Sequence, residues 1–170
     1  MKSGRALAGV LVLAALICAA GCTGTAENSV AEVGDNVTVD YTGSFPNGTV
    51  FDTSIGRKPF TFTIGKNMVI EGFEKAVIGL SEGESVSVLI PAAEAYGEYN
   101  PDLVSSVNRS GLPDDTAVGQ MFLQQINGQT VIFRVIAINE TTVVMDANPA
   151  LAGEDLKFDI TLLSIQKAAS

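Results

Sequence analysis

Apolar residues recur at every second position in four separated stretches of this chain. They run through Val37, Val39 and Tyr41, then Phe60, Phe62 and Ile64, then Val86, Val88 and Ile90, and finally Leu156, Phe158, Ile160 and Leu162. A period of two turns one set of side chains to one face, which is the pattern of a strand with one buried side. Helical spacing occurs in one short stretch, Ile70, Phe73, Val77 and Leu80, with Gly79 suited to end it. About two turns of helix are not stable in water alone, so this helix needs a sheet to lie on. Pro46-Asn47-Gly48 and Ser81 to Ser85 are turn signals, and Val50-Phe51 begins another extended piece. Strands in antiparallel succession with one short helix predict an α+β fold, an antiparallel sheet wrapped on a short helix.

The pattern breaks after Tyr99 and returns at Asn148. Pro101-Asp102 and Gly111-Leu112-Pro113-Asp114-Asp115 punctuate the intervening segment. Met121 to Leu123, Val131 to Ile138 and Thr142 to Met145 read as three more strands, with turns at Gly128-Gln129 and Asn139-Glu140. A structureless loop of this length is improbable in a small domain. Residues 100–147 are therefore expected to be a small mainly-β domain set into a surface loop, with 30–99 and 148–168 forming the host. An insert this small has a marginal core and is expected to be less stable than its host.

The N-terminus reads as an address. Lys2 and Arg5 precede an uncharged run from Ala6 to Ala20, too short to span a bilayer but suited to the core of a secretory signal. The run ends in Ala19-Ala20-Gly21-Cys22, which resembles a lipoprotein signal over residues 1–21, cleaved so that Cys22 carries lipid. An uncleaved signal anchor, or ordinary cleavage nearby, is the other possibility. All of these place the rest of the chain outside the cell membrane. One lipid chain holds a protein only marginally, so more than one is expected. Residues 22–29 are small and polar, a short tether. The four sequons at Asn36, Asn47, Asn108 and Asn139 are a further exterior cue, although Asn, Gly and Thr also gather in turns.

Composition removes whole classes of function. The 170 residues contain no His, so Ser-His-Asp triads, Cys-His dyads and HExxH zinc sites are excluded. Two Cys build no disulfide framework, and 19 acidic against 10 basic residues argue against nucleic acid. Losing Lys2 and Arg5 with the leader leaves 8 − 19 = −11. Gly79-Leu80-Ser81-Glu82-Gly83 matches the nucleophile-elbow pattern GxSxG, but it follows a helix and has no His to act as base. No phosphate-binding glycine loop or EF-hand spacing is present, so no cofactor and no metal are expected.

One constellation stands above this background. Tyr41-Thr42-Gly43 is followed by Asn47-Gly48-Thr49-Val50-Phe51-Asp52-Thr53-Ser54, then by Pro59-Phe60-Thr61-Phe62. Gly65 leads to Val69-Ile70-Glu71-Gly72-Phe73-Glu74, then come Ala95-Tyr96-Gly97 and Phe158-Asp159. In this order the residues resemble the FKBP-type peptidyl-prolyl cis-trans isomerases over nearly the whole chain beyond the leader. The segment replacing the short flap is similar to the SlyD-like branch, whose insert-in-flap domain binds unfolded chains. Pro149 stands where that branch commonly has His, and the tail Gln166 to Ser170 lacks His and Cys, so nickel delivery is not implied.

The resemblance implies a proline pocket with Tyr41, Asp52, Phe73 and Tyr96 as catalytic residues. Phe51, Phe60, Val69, Ile70, Leu151 and Phe158 would bind substrate. Phe73 would be the floor for the proline ring, Val69 and Ile70 an apolar wall with a backbone N–H, and Leu151 the rim. Tyr96 would donate to a substrate carbonyl, and Asp52 would orient Tyr41. Phe62 is better read as core. The implied partners are unfolded or proline-containing polypeptides and, through the lipid, a membrane, with the protein a monomer. A binding module that holds proline segments without turnover is the competing function. The leader yields a test: Cys22→Ser should release the protein from membranes while leaving isomerase activity unchanged. Retention after salt and carbonate washing would favour an uncleaved anchor.

Overall fold

The structure, a computed structural model, describes residues 29–168. The leader, Cys22 and all but the last residue of the tether lie outside the described residues.

The first sheet is built from β1 (Asn36–Ser44), β2 (Val50–Thr53), β3 (Phe60–Thr63), β4 (Ser85–Ile90) and the C-terminal β9 (Leu156–Gln166). Its order is β2-β1-β9-β4, and β3 pairs with the N-terminal half of β1 beyond β2. All pairings are antiparallel. The alternation in the sequence lands as expected: Val37, Val39, Phe62, Ile90, Leu156, Phe158, Ile160 and Leu162 are buried on one face. On the other face hydroxyls pair across strands, Thr42 with Thr53 at 2.9 Å and Ser85 with Thr161 at 2.8 Å. The alternation in β9 fails at Leu163, which is 39% exposed. The register opposite β1 shifts there, so the extra residue is accommodated as a bulge.

The helix α1 (Glu71–Val77) is shorter than the Ile70–Leu80 pattern and presses Gly72, Phe73 and Val77 into the sheet. Gly72 is required by the close approach, because a Cβ there would lie 2.3 Å from Ile90 Cγ2. Glu71 and Glu74 in the first turn and Lys75 in the last suit the helix dipole. Lys75 also bridges to Glu71 at 2.8 Å and Glu94 at 3.1 Å.

A second sheet takes all its strands from the segment between β4 and β9. These are β5 (Val104–Asn108), β6 (Met121–Ile126), β7 (Gln129–Ile138) and β8 (Thr142–Asp146), in the order β5-β8-β7-β6. The sequence signalled three of these strands and missed β5. Its apolar residues, Val104 and Val107, are three apart and show no alternation, so only pairing with β8 makes it a strand. This sheet has its own small core of Val135, Val143 and Met145, flanked by Phe122, Phe133 and Leu112.

The segments just before β1 and just after β9 are clasped together through Asp35, which is 3% exposed. Its carboxylate accepts from the N–H of Glu32 at 2.9 Å and of Ala168 at 3.1 Å, and lies 3.1 Å from Lys167 Nζ. Lys167 also donates to Val30 O and pairs with Glu32. Burial alone would push the Asp35 carboxyl up, but the two N–H donors and the Lys167 ammonium outweigh it and hold the group below its ordinary value. A carboxyl depressed in the native state stabilises above its unfolded pKa and loses that contribution as pH falls through the native value. Asp35→Asn should therefore reduce stability at neutral pH and flatten the decline below about pH 4, as read from denaturant melts across pH.

Candidate functional site

Between α1 and the first sheet lies a cavity of about 190 Å³. Tyr41, Phe51, Asp52, Phe60, Met68, Val69, Ile70, Phe73, Tyr96 and Phe158 line it. It is smaller than sites that take drug-sized ligands, and it suits a single ring or side chain. A larger recess on the outer face of the sheet is lined mainly by polar residues, Asp40, Thr42, Ser85, Ser87, Asp159 and Thr161, with Tyr41 its one aromatic residue.

The floor is made by the alternation itself. Inward positions of β1 and β9 supply Tyr41 and Phe158, and the buried side of α1 supplies Phe73. Phe73 is 4% exposed and meets Tyr41 and Phe158 edge to face, at 5.8 Å and 5.3 Å between centroids. Phe51 meets Phe158 in the same way at 5.8 Å. Such contacts fix ring orientation beyond what apolar burial alone provides. Gly43 lies directly beneath, where a Cβ would stand 2.7 Å from Phe51 Cζ and 2.9 Å from Phe158 Cε1. Phe62 stacks on Phe60 at 5.8 Å, is 1% exposed, and belongs to the core beneath.

Two polar features break the apolar wall. The Tyr41 hydroxyl donates to Asp52 Oδ2 at 2.5 Å. Asp52 Oδ1 accepts from the Thr53 N–H at 2.9 Å and faces Arg57 at 3.4 Å. Burial first, then the hydrogen bond to Asp52 and its carboxylate charge, together push the Tyr41 hydroxyl up from 10.0 to about 12. Tyr41 is thus a proton donor throughout the physiological range. Tyr96 stands at the rim, 44% exposed, just ahead of the turn at Gly97.

The cavity brings together nine of the ten pocket residues expected from the sequence. Leu151 is the exception: it packs against the main core and does not line the cavity. Met68 lines the cavity and was missed, although its place directly before Val69 was a signal.

A model of the family described as FKBP-type peptidyl-prolyl cis-trans isomerase matches residues 27–163. The chain belongs to this family. It is 33% identical over 134 residues to the FKBP-type peptidyl-prolyl cis-trans isomerase SlyD of Treponema pallidum, covering 78% of this chain and 76% of that protein. The short-type peptidyl-prolyl cis-trans isomerase of Methanocaldococcus jannaschii is 32% identical over 154 residues, with 81% and 95% covered. SlyD of Escherichia coli K12 is 31% identical, with 78% of this chain and 68% of that protein covered. The crystal structure of FkpA from Escherichia coli aligns with 84% of this chain and 45% of that one, at 21% identity and a TM-score of 0.49, too remote to add to the assignment. The enzyme is a peptidyl-prolyl cis-trans isomerase of FKBP type, and proline-containing polypeptides are its substrates.

The Tyr41–Asp52 pair makes a measurable statement. A phenol raised in the native state stabilises below its unfolded pKa near 10, and that contribution is lost as pH rises toward 12. In Asp52→Asn the carboxylate charge is gone, so the Tyr41 ring-carbon NMR titration should move down toward 10. An unchanged titration would mean that burial alone sets it.

Proposed function

We propose that the aromatic cavity is the isomerase site and that the chain works as a lipid-anchored folding factor outside the cell membrane. The observation that carries the first part is the composition of the cavity: an aromatic floor, one Tyr–Asp pair, one rim tyrosine, and no Ser, Thr, Cys or Lys among its lining residues. Rotation about an X–Pro bond breaks no covalent bond and faces a barrier near 20 kcal/mol. A ten-thousandfold acceleration needs about 5.5 kcal/mol. The planar amide is more polar than the twisted one, so a dry apolar cavity favours the twisted form. Phe73 carries the proline ring, and Phe51, Phe60, Val69 and Phe158 exclude water from it. The Tyr96 hydroxyl holds a flanking carbonyl, and the Ile70 N–H, which finds no acceptor among the described residues, is available to a second. Asp52 holds Tyr41 by its hydroxyl and sets the sign of the field at the amide.

The second sheet is proposed as an insert-in-flap domain that captures unfolded chains. Its support is exposed apolar surface: Leu123 is 71%, Met121 62% and Ile132 51% exposed on one face. A groove lined by Val107, Leu112, Phe122, Phe133 and Met145 lies on the other. Apolar surface of this kind suits chains that have not yet buried their own. Holding a client beside the cavity raises the effective concentration of its prolines without altering the chemistry. The signal-like leader and Cys22 support the lipid anchor and the exterior location.

Two variants measured on two substrates test both parts. Phe73→Ala should cut kcat/KM on a proline tetrapeptide roughly tenfold or more, about 1.4 kcal/mol. Residues 100–147 can be replaced by a short turn, because their ends are already clasped: the Asn100 N–H donates to Asn148 Oδ1 and Asn148 Nδ2 to Asn100 O, both at 2.9 Å. That deletion should leave tetrapeptide turnover near wild type and slow a proline-limited refolding reaction far more. Equal fractional losses on both substrates would remove the capture role. Wild-type turnover in folded Phe73→Ala would remove the site, and binding with no turnover in the intact protein would favour a proline-binding module.

A further inference from the structure

Four of the nine asparagines stand in Asn-x-Ser/Thr sequons, where the 25 Ser and Thr among 170 residues would give about one by chance. All four are exposed, and their surroundings differ. Asn36 lies within β1, paired on both sides with Thr63 and Gln166. Asn139 spends its own Nδ2 on Thr142 Oγ1 at 3.2 Å. Asn47 sits at the tip of the turn between β1 and β2, closed by Phe45 N–H to Thr49 O and Gly48 N–H to Phe45 O, both at 2.9 Å. Its Oδ1 accepts the N–H of Thr49, the hydroxyl residue of its own sequon, at 2.9 Å. A backbone N–H can only donate, so the accepting atom is the oxygen, and Nδ2 is the atom left free. Asn108 repeats this with Ser110, at 2.9 Å from the N–H and 2.8 Å from Oγ. Neither Nδ2 has an acceptor among the described residues.

A second feature belongs to Asn47 alone. An open recess of about 470 Å³ adjoins it, lined by Phe45, Pro46, Asn47, Thr49 and Glu154. Phe45 is half-buried, tilted against Phe51 at 5.3 Å, and its remaining surface borders this recess. Nothing in the isomerase site uses it.

We propose that Asn47 is an N-glycosylation site whose first sugar lies in this recess against the Phe45 ring, with Asn108 a second acceptor that lacks such a seat. The donor class is an oligosaccharide carried on a polyisoprenoid phosphate. The Nδ2–C1 bond forms and the C1–O bond to the carrier phosphate breaks. The phosphate leaves with the electron pair, Nδ2 gives one proton to a base of the transferase, and nothing is oxidised. The apolar C–H face of a pyranose covers ring surface that is otherwise wet, and its hydroxyls face water and the Glu154 carboxylate. The inference rests on the exported location proposed above, since sequons are modified outside the cytoplasm.

The test is peptide mass spectrometry of the full chain purified from its own cells, with protease accessibility on intact cells recording its side of the membrane. Glycan mass is expected on the Asn47 and Asn108 peptides and not on those of Asn36 and Asn139. Asn47→Gln and Thr49→Ala should each remove one glycan. The glycosylated wild type should melt above Asn47→Gln by several degrees more than the same pair made in a host without the transferase, whose difference reports the lost Asn47–Thr49 bond alone. Bare Asn47 in an externally exposed protein overturns this inference and leaves the exported location standing. Bare Asn47 in a protein shielded inside the cell overturns both. An occupied Asn47 whose glycan adds nothing to the melting difference overturns the seat on Phe45.

Discussion

The C-terminal strand β9 holds the first sheet together. It lies between β1 and β4, pairs with both over most of its length, and buries Leu156, Phe158, Ile160 and Leu162. Without it β1 and β4 have no common neighbour, and α1 has no continuous surface to cover. Phe158 on this strand also forms part of the cavity floor. Because β9 follows the second sheet in the chain, the first sheet closes only after the second sheet's segment has been made. Closure across a long intervening segment costs entropy that grows slowly with length, so stability tolerates the arrangement better than folding speed does. The Asp35–Lys167 clasp then ties the far end of β9's chain to the start of β1's.

The same strands that make the core line the candidate site. Tyr41 and Phe158 continue the inward rows of β1 and β9, so the cavity is the open end of the hydrophobic core and not a separate construction. Its rings are braced edge to face, which keeps a small apolar space from collapsing. A reaction that only twists a peptide bond needs such a space more than it needs reactive groups. That is why a chain with no His serves it.

The second sheet follows a different design. Its buried cluster is small, and large apolar side chains stay exposed on it. A single four-stranded sheet cannot hide both faces by itself. Asn100 and Asn148 join its two ends with reciprocal hydrogen bonds, so the chain enters and leaves this sheet at one place. The strands of the first sheet and the residues lining the cavity all lie outside this segment.

Strand and helix types were legible in the sequence because period-two alternation and 3.6-residue spacing report local backbone geometry directly. The motif residues around Tyr41, Asp52, Phe73 and Tyr96 were legible because their order along the chain is distinctive. Strand β5 was not, since Val104 and Val107 carry no period and become a strand only by pairing with β8. The bulge at Leu163 was hidden for a similar reason: two adjacent leucines are compatible with either face until β1 fixes the register. Leu151 and Met68 exchanged places at the cavity because burial against one wall or another is set by packing, which residue type alone does not encode. The sequence by itself determined which faces are apolar and where the chain turns. Tertiary structure decided which apolar atoms stay uncovered, because that depends on contacts between strands far apart in the chain.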